Sequence, residues 1–196
     1  MNERSLIVPI GISARHIHLS KADAEILFGP GVDLTPVPGT EGRVQYPAIE
    51  RVAMHSPKAS FPRVAVMLPL YKDFTQIEIS MSDARVLGLE APIRMSRDIA
   101  GSPGVKLTGP RGEVVLTEGV IIAKRHIHIN EDWANELGLT QRKSIKLQIV
   151  SAERSLVFDD VMLRIEKKQE SAEVHIDVDE ANAAGISGAV EGTMIL

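Results

Sequence analysis

The sequence predicts an all-β dominated protein, built as barrels or sandwiches with short capping α-helices and divided into two domains. Three observations carry that reading. Short apolar stretches, few longer than eight residues, alternate with Gly and Pro turns. A His-Ile-His phrase occurs twice, about a hundred residues apart, and holds four of the six histidines. A strand, cap and short-helix pattern recurs four times. The 196 residues suffice for one large domain or two small ones, and the duplicated phrase favours two.

In chain order, the first strand is LIVPI at 6–10. The first phrase follows as Ala14-Arg15-His16-Ile17-His18-Leu19-Ser20. Successive strand side chains point to opposite faces, so His16 and His18 share one face about 6.6 Å apart while Ile17 covers the other. Ser20 is a strong helix N-cap, and the helix it opens stops at Gly29. From Gly29 to Pro62 the chain is rich in Pro and Gly and reads as an irregular excursion. His55 falls there without a partner phrase and reads as a surface residue. RVAVML at 63–68 is a strand, and Gln76-Ile77-Glu78-Ile79-Ser80 repeats the phrase's grammar of ligand type, aliphatic and cap.

GVKLTG, GEVVLT and VIIAKRHIHI follow as strands, the last carrying His126 and His128 and ending on the cap Asn130. Gly101-Ser102-Pro103-Gly104 and Gly109-Pro110-Arg111-Gly112 match neither a Walker loop nor a dinucleotide fingerprint, and read as turns. SIKLQIV, SLVF and DVMLRI are three further strands, and Val174-His175-Ile176-Asp177 is the fourth copy of the pattern. The caps Ser20, Ser80, Asn130 and Asp177 are each followed four residues on by Ala24, Ala84, Ala134 and Ala181, then by Gly29, Gly88, Gly138 and Gly185. Asp23, Asp83 and Glu180 add an acid to the first turn, where it favours the exposed N–H groups; Trp133 takes that place in the third copy.

A hydrophobic content of 44% and a charged content of 24% are those of a globular protein. The net charge of −4 and the absence of Lys/Arg blocks argue against nucleic acid. No apolar run approaches membrane length and the start MNERSLIVPIGIS lacks signal-peptide features, so a cytoplasmic protein without membrane partners is expected. Without cysteine, a metal must be held by nitrogen and oxygen. The candidates are His16, His18, Glu78, His126, His128 and His175, more than one tetrahedral site needs, which favours two metals or one metal and a polar site. Zinc fits these ligands; cobalt, nickel and ferrous iron share them. Lys72, six residues before Glu78, could bring a cation near the same site for an anionic substrate.

SARHIHLS at 13–20, TQIEIS at 75–80, GSPG at 101–104, EGVIIAKRHIHIN at 118–130 and HIDVDEANAAGI at 175–186 together resemble the PduL-type phosphotransacylases, or phosphate propanoyltransferases. The similarity runs over nearly the whole chain. It implies two β-barrels, one over 15–122 with the excursion at 29–62, the other discontinuous over 1–14 plus 123–196. It implies a zinc-dependent exchange of coenzyme A and phosphate on a short acyl group, with acyl-CoA and inorganic phosphate as substrates. It implies two zinc ions, one on His16 and His18, the other on Glu78, His126, His128 and His175. A homodimer or higher homo-oligomer and association with a bacterial microcompartment also belong to that expectation, although only fifteen residues precede His16 and the family's encapsulation extension is not recognised there.

Two departures from the family pattern stand out. The arginine implicated in phosphate handling falls on Lys72, and a typical Ser-Gly-Asp reads Ser96-Arg97-Asp98. Two other function classes fit less of the sequence. One is a catalytically weakened or inactive, metal-stabilised structural homologue, to which Lys72 lends weight. The other is a cupin-like metal oxygenase, whose usual Glu after the His pair would here be Glu131 or Asp132, at a helix start.

Overall fold

The computed structural model describes residues 5–40, 44–140, 142–167 and 172–196. In chain order the elements are β1 (Ser5–Ser13), β2 (His16–His18), α1 (Lys21–Phe28), β3 (Tyr46–His55), β4 (Ser60–Leu68), β5 (Gln76–Glu78), α2 (Met81–Leu87), β6 (Ile93–Arg94) and β7 (Lys106–Thr108). There follow β8 (Glu113–Val115), β9 (Val120–Ala123), β10 (His126–Asn130), α3 (Glu131–Glu136), β11 (Ser144–Ile149), β12 (Leu156–Glu166), β13 (Glu173–Asp177), α4 (Val178–Ala184) and β14 (Val190–Ile195). The chain divides into two compact units, residues 14–123 and residues 1–13 with 124–196. No helix among the described residues is long and apolar enough to cross a membrane.

The unit of residues 1–13 and 124–196 is a closed barrel in the order β1-β13-β10-β12-β11-β14. Closure satisfies the strand edges, and the barrel encloses a core that includes Val8, Ile127, Ile129, Leu147, Val161, Val174 and Met194. The unit of residues 14–123 is an eight-stranded sheet in the order β6-β9-β5-β2-β4-β3-β7-β8, curled as a half-barrel. Its core includes Ile17, Leu27, Val52, Met54, Val66, Ile77, Leu107 and Val120.

Both units are built around the same pairing. In the sheet, β2 lies antiparallel to β5 and parallel to β4, and β5 lies parallel to β9. In the barrel, β10 lies antiparallel to β13 and parallel to β12, and β13 lies parallel to β1. The duplicated phrase thus marks a duplicated supersecondary unit. All four helices start at the caps read from sequence, Ser20, Ser80, Asn130 and Asp177, each accepting a backbone N–H of the first turn. Only Asp177 and Glu180 form a full capping box. Asp23 and Asp83 serve other partners: Asp23 accepts from Thr75 Oγ1 at 2.5 Å, and Asp83 takes both arms of Arg15 at 2.6 and 2.9 Å.

Three local expectations need correction. The stretch at 29–62 is not an irregular excursion throughout: it contains β3 and the start of β4, and the two pair with register shifts between Pro47 and Arg51 and between Val52 and Met54. Pro47 gives no ladder donor, yet it stays in register opposite Met67, and the first shift follows it. SLVF and DVMLRI are one strand, β12, which continues through Asp159 and Asp160, where Lys146 and Arg125 pair with the two carboxylates. VIIAKRHIHI is two strands, β9 and β10, parted at Lys124-Arg125. The glycine turns are structural, as read: Gly109 N–H donates to Gly112 O at 2.9 Å and closes the β7–β8 hairpin. A Cβ on Gly104 would stand 1.9 Å from the Leu116 carbonyl oxygen.

Candidate metal centre

The register of β2 against β5 sets His16 opposite Glu78, Ile17 opposite Ile77 and His18 opposite Gln76. Opposed residues of an antiparallel pair share a face, so both imidazoles, the carboxylate and the Gln76 amide gather on one side while the two isoleucines, fully buried, anchor the other. His16 is also paired with Ala65 on β4, a small residue beside the ring.

His16 Nδ1 lies 2.8 Å from the Ala14 carbonyl oxygen. A carbonyl only accepts, so Nδ1 carries the hydrogen and the Nε2 lone pair of the neutral ring is directed away from the backbone. That Nε2 stands 3.3 Å from Glu78 Oε2, and His18 Nε2 stands 3.9 Å from Glu78 Oε1. Burial pulls the His16 pKa down, but the Glu78 charge and hydrogen bond, with the Ala14 carbonyl, hold it above the usual histidine value. Gln76, completely buried, donates its amide to Glu78 Oε1 at 2.7 Å and to Ser96 Oγ at 2.8 Å, and its Oε1 accepts the Arg97 N–H at 2.5 Å. Tyr71 lies flat on the His18 ring, with centroids 4.7 Å apart and planes 11° from parallel.

Among the described residues, His16, His18 and Glu78 are the group whose ligand atoms all lie within 4.8 Å of one another. Two imidazoles and a carboxylate form a donor set that suits zinc with an open coordination position. The hydrogen bond to Ala14 fixes one imidazole in the ligating tautomer, and the Gln76 amide holds the carboxylate. The residues present therefore fit the metal that the sequence implies.

The barrel repeats the arrangement with other residues. His126 stands opposite His175 and Ile127 opposite Val174. His126 Nδ1 lies 2.8 Å from the Lys124 carbonyl oxygen, the same device at the same position of the phrase. Its Nε2 is 3.1 Å from His128 Nε2, and His175 stacks on His126 with centroids 5.3 Å apart and planes 6° from parallel. His126 Nε2 is the acceptor side of the neutral ring. It accepts a hydrogen bond from the Nε2–H of His128 when that ring carries its hydrogen there. Burial pushes the His126 pKa down to about 3 against the Lys124 hydrogen bond, with the His175, His128 and Arg164 charges acting in the same direction as burial. His128 is lowered too, first by burial, although Glu166 Oε2 lies 3.3 Å from its Nδ1. Both rings are thus held neutral, the form that ligates.

The arginine before each phrase has a common role. Arg15 grips Asp83 in the first turn of α2, and Arg125 donates to Glu180 in the first turn of α4 at 2.6 Å. Each pair ties the ligand strand to the helix after its antiparallel neighbour.

Of the candidates read from sequence, His16, His18 and Glu78 come together in the sheet, and His126, His128 and His175 in the barrel. Glu78 lies against the first histidine pair, whereas the family resemblance groups it with the second. Lys72 lines a cavity of about 350 Å3 together with Tyr71, Phe74 and Arg97. His55 ends β3, opposite Ser60 and Lys106. Gln76 and Tyr71 are the residues that sequence reasoning left out of the site, and Arg97 stands there only as a departure from the family pattern. The alternation of β5 could have found Gln76, which falls on the Glu78 face.

A family model described as Phosphate propanoyltransferase matches residues 9–187. The chain is 45% identical over 175 residues to the phosphate propanoyltransferase of Thermotoga maritima, covering 89% of this chain and 82% of that protein. It is 44% identical over 186 residues to that of Shewanella putrefaciens, covering 94% and 86%, and 43% identical over 180 residues to that of Rhodobacter capsulatus, covering 92% and 82%.

Proposed function

The chain belongs to the phosphate propanoyltransferase family and is an acyltransferase, and from that premise we propose that it is a zinc-dependent enzyme converting acyl-CoA and phosphate into acyl phosphate and free coenzyme A, with short acyl groups as substrates. The observation that carries the reading is the His16, His18 and Glu78 donor set, in which Ala14 fixes the proton of His16 and Gln76 holds the carboxylate of Glu78. When bound there, zinc supplies positive charge that stabilises the departing thiolate.

The chain's own residues have separate tasks. His16, His18 and Glu78 are the ligands. The Ala14 carbonyl holds the His16 proton at Nδ1, and Tyr71 covers one face of His18. Lys72 brings a cation to the neighbouring cavity for the phosphate anion. A phosphate oxygen bonds to the thioester carbonyl carbon, the carbon–sulfur bond breaks, and the electron pair leaves with sulfur. The sequence contains no cysteine, so no acyl-thioenzyme forms and direct transfer between the two bound substrates is the simplest course. His126, His128 and His175 are assigned a second zinc. Homo-oligomeric assembly and association with a microcompartment are part of the same reading.

Metal analysis with a coupled assay tests it. Zinc-loaded protein should release coenzyme A from propionyl- or acetyl-CoA only when phosphate is supplied. Full metal loading without that release, across short acyl chains, would replace the reading with a structural role.

A further inference from the structure

The cavity lined by Tyr71 holds a second cation besides Lys72. Arg97 lines it and places its guanidinium 4.9 Å from the centre of the Tyr71 ring, the same ring that stacks on His18. Lys72 and Arg97 outweigh Asp73, the carboxylate that shares the lining, by one charge.

The backbone at this residue is unusual. Arg97 has φ of 81°, the one non-glycine residue among those described with a positive φ. A side-chain-bearing residue rarely adopts that conformation, and it persists where the surroundings over-determine it. Here the turn at 95–98 is closed by the Asp98 N–H donating to the Met95 carbonyl at 3.1 Å, which puts Arg97 at the position where such a turn takes a positive φ, and Gln76 braces it by accepting the Arg97 N–H while it donates to Ser96 Oγ and to Glu78. One buried amide therefore orients the Glu78 carboxylate and holds the backbone N–H of Arg97 within that turn. A guanidinium in this turn is planar, always charged and forked, which suits a phosphoryl group better than the point charge of Lys72.

We propose that Arg97 is a phosphate-binding residue, anchoring the phosphoryl anion in the cavity that Tyr71 joins to the His16, His18 and Glu78 centre. The proposal rests on the phosphotransfer reading above, since that reaction brings phosphate to this cavity. The cation–π contact with Tyr71 holds the guanidinium over the ring at the cavity, where its N–H donors can meet an anion. The ligand is the free phosphate substrate; the phosphates of coenzyme A offer the same chemistry and are separated by the test.

The test compares the zinc-loaded wild type with R97G and R97K. Glycine suits the left-handed backbone, so R97G should melt at or above the wild-type temperature. Loss of a charged hydrogen-bond partner should raise the KM for phosphate about tenfold to a hundredfold, with the KM for acyl-CoA changed less than twofold, and R97K should fall between. Direct binding of inorganic phosphate, followed by 31P NMR on the full chain, should weaken by a similar factor. An unchanged phosphate KM and dissociation constant in R97G would overturn the proposal. So would a rise confined to the KM for acyl-CoA, which would assign Arg97 to the coenzyme. If the wild type transfers no acyl group, the reaction reading fails and the binding measurement alone decides Arg97.

Discussion

Replacing Gln76 by Leu preserves approximate volume and removes three hydrogen bonds from a completely buried position. The bond to Glu78 is to a carboxylate and is worth about 1.5–3 kcal/mol, while those with Ser96 and Arg97 are neutral and worth about 1 kcal/mol each. Together Q76L should lose about 4 kcal/mol. With a urea slope of about 2.5 kcal/mol/M, the unfolding midpoint of the metal-free protein should fall by about 1.5 M. The substitution also frees the carboxylate that the amide orients. Zinc affinity, measured by chelator competition, should then fall about tenfold to a hundredfold, as when a partner behind a metal ligand is lost. Far-UV circular dichroism reads the first effect and the competition assay the second. A Q76L protein matching the wild type in both would refute the role given to Gln76.

Other consequences are equally direct. Lys72→Arg restores the bidentate fork at the rim of the cavity and should lower the KM for phosphate; an unchanged value would remove Lys72 from the site. Gly104→Ala drives a Cβ into the Leu116 carbonyl and should destabilise by about 3 kcal/mol or more in a denaturant titration, whereas a loss below about 0.5 kcal/mol would contradict that close approach. Burial raises the Glu180 pKa despite its hydrogen bonds to the Asp177 backbone and Arg125. The folded state therefore holds a proton that the unfolded state releases above about pH 4.5, and the resulting stabilisation is lost as pH rises through the folded pKa. Relative to wild type, Glu180→Gln should gain stability as pH rises from 4.5 through that window; parallel stability curves would show that Glu180 does not titrate differently on folding.

The parts of the fold legible in the sequence are those written locally. A cap residue, an alanine four positions on and a closing glycine depend on a single turn of backbone, and the four copies locate all four helices. The His-x-His alternation likewise identifies the ligand face before any pairing is known. Pairing itself is non-local, and this is where the sequence reading falls short. Pro47 hides β3 because a proline reads as a break until the pairing with β4 and β7 is known. Asp159 and Asp160 divide β12 on paper because the cations that pair with them are distant in the chain, Lys146 on β11 and Arg125 between β9 and β10. Glu78 joins His16 and His18 through the β2–β5 register, which no spacing along the chain encodes. Arg97 is visible as an arginine, but its left-handed backbone and its place over Tyr71 are products of the folded turn.

The central claim is that the His16, His18 and Glu78 group holds a metal used in phosphate-dependent acyl transfer. Substituting Glu78 by Gln keeps size and hydrogen-bonding capacity while removing the anionic ligand. Zinc stoichiometry and phosphate-dependent release of coenzyme A from propionyl-CoA, measured on the same E78Q and wild-type preparations, test it most directly. The account predicts that wild type releases coenzyme A and that E78Q loses bound zinc and transfer together while remaining folded. An E78Q protein that transfers acyl groups at the wild-type rate would contradict it.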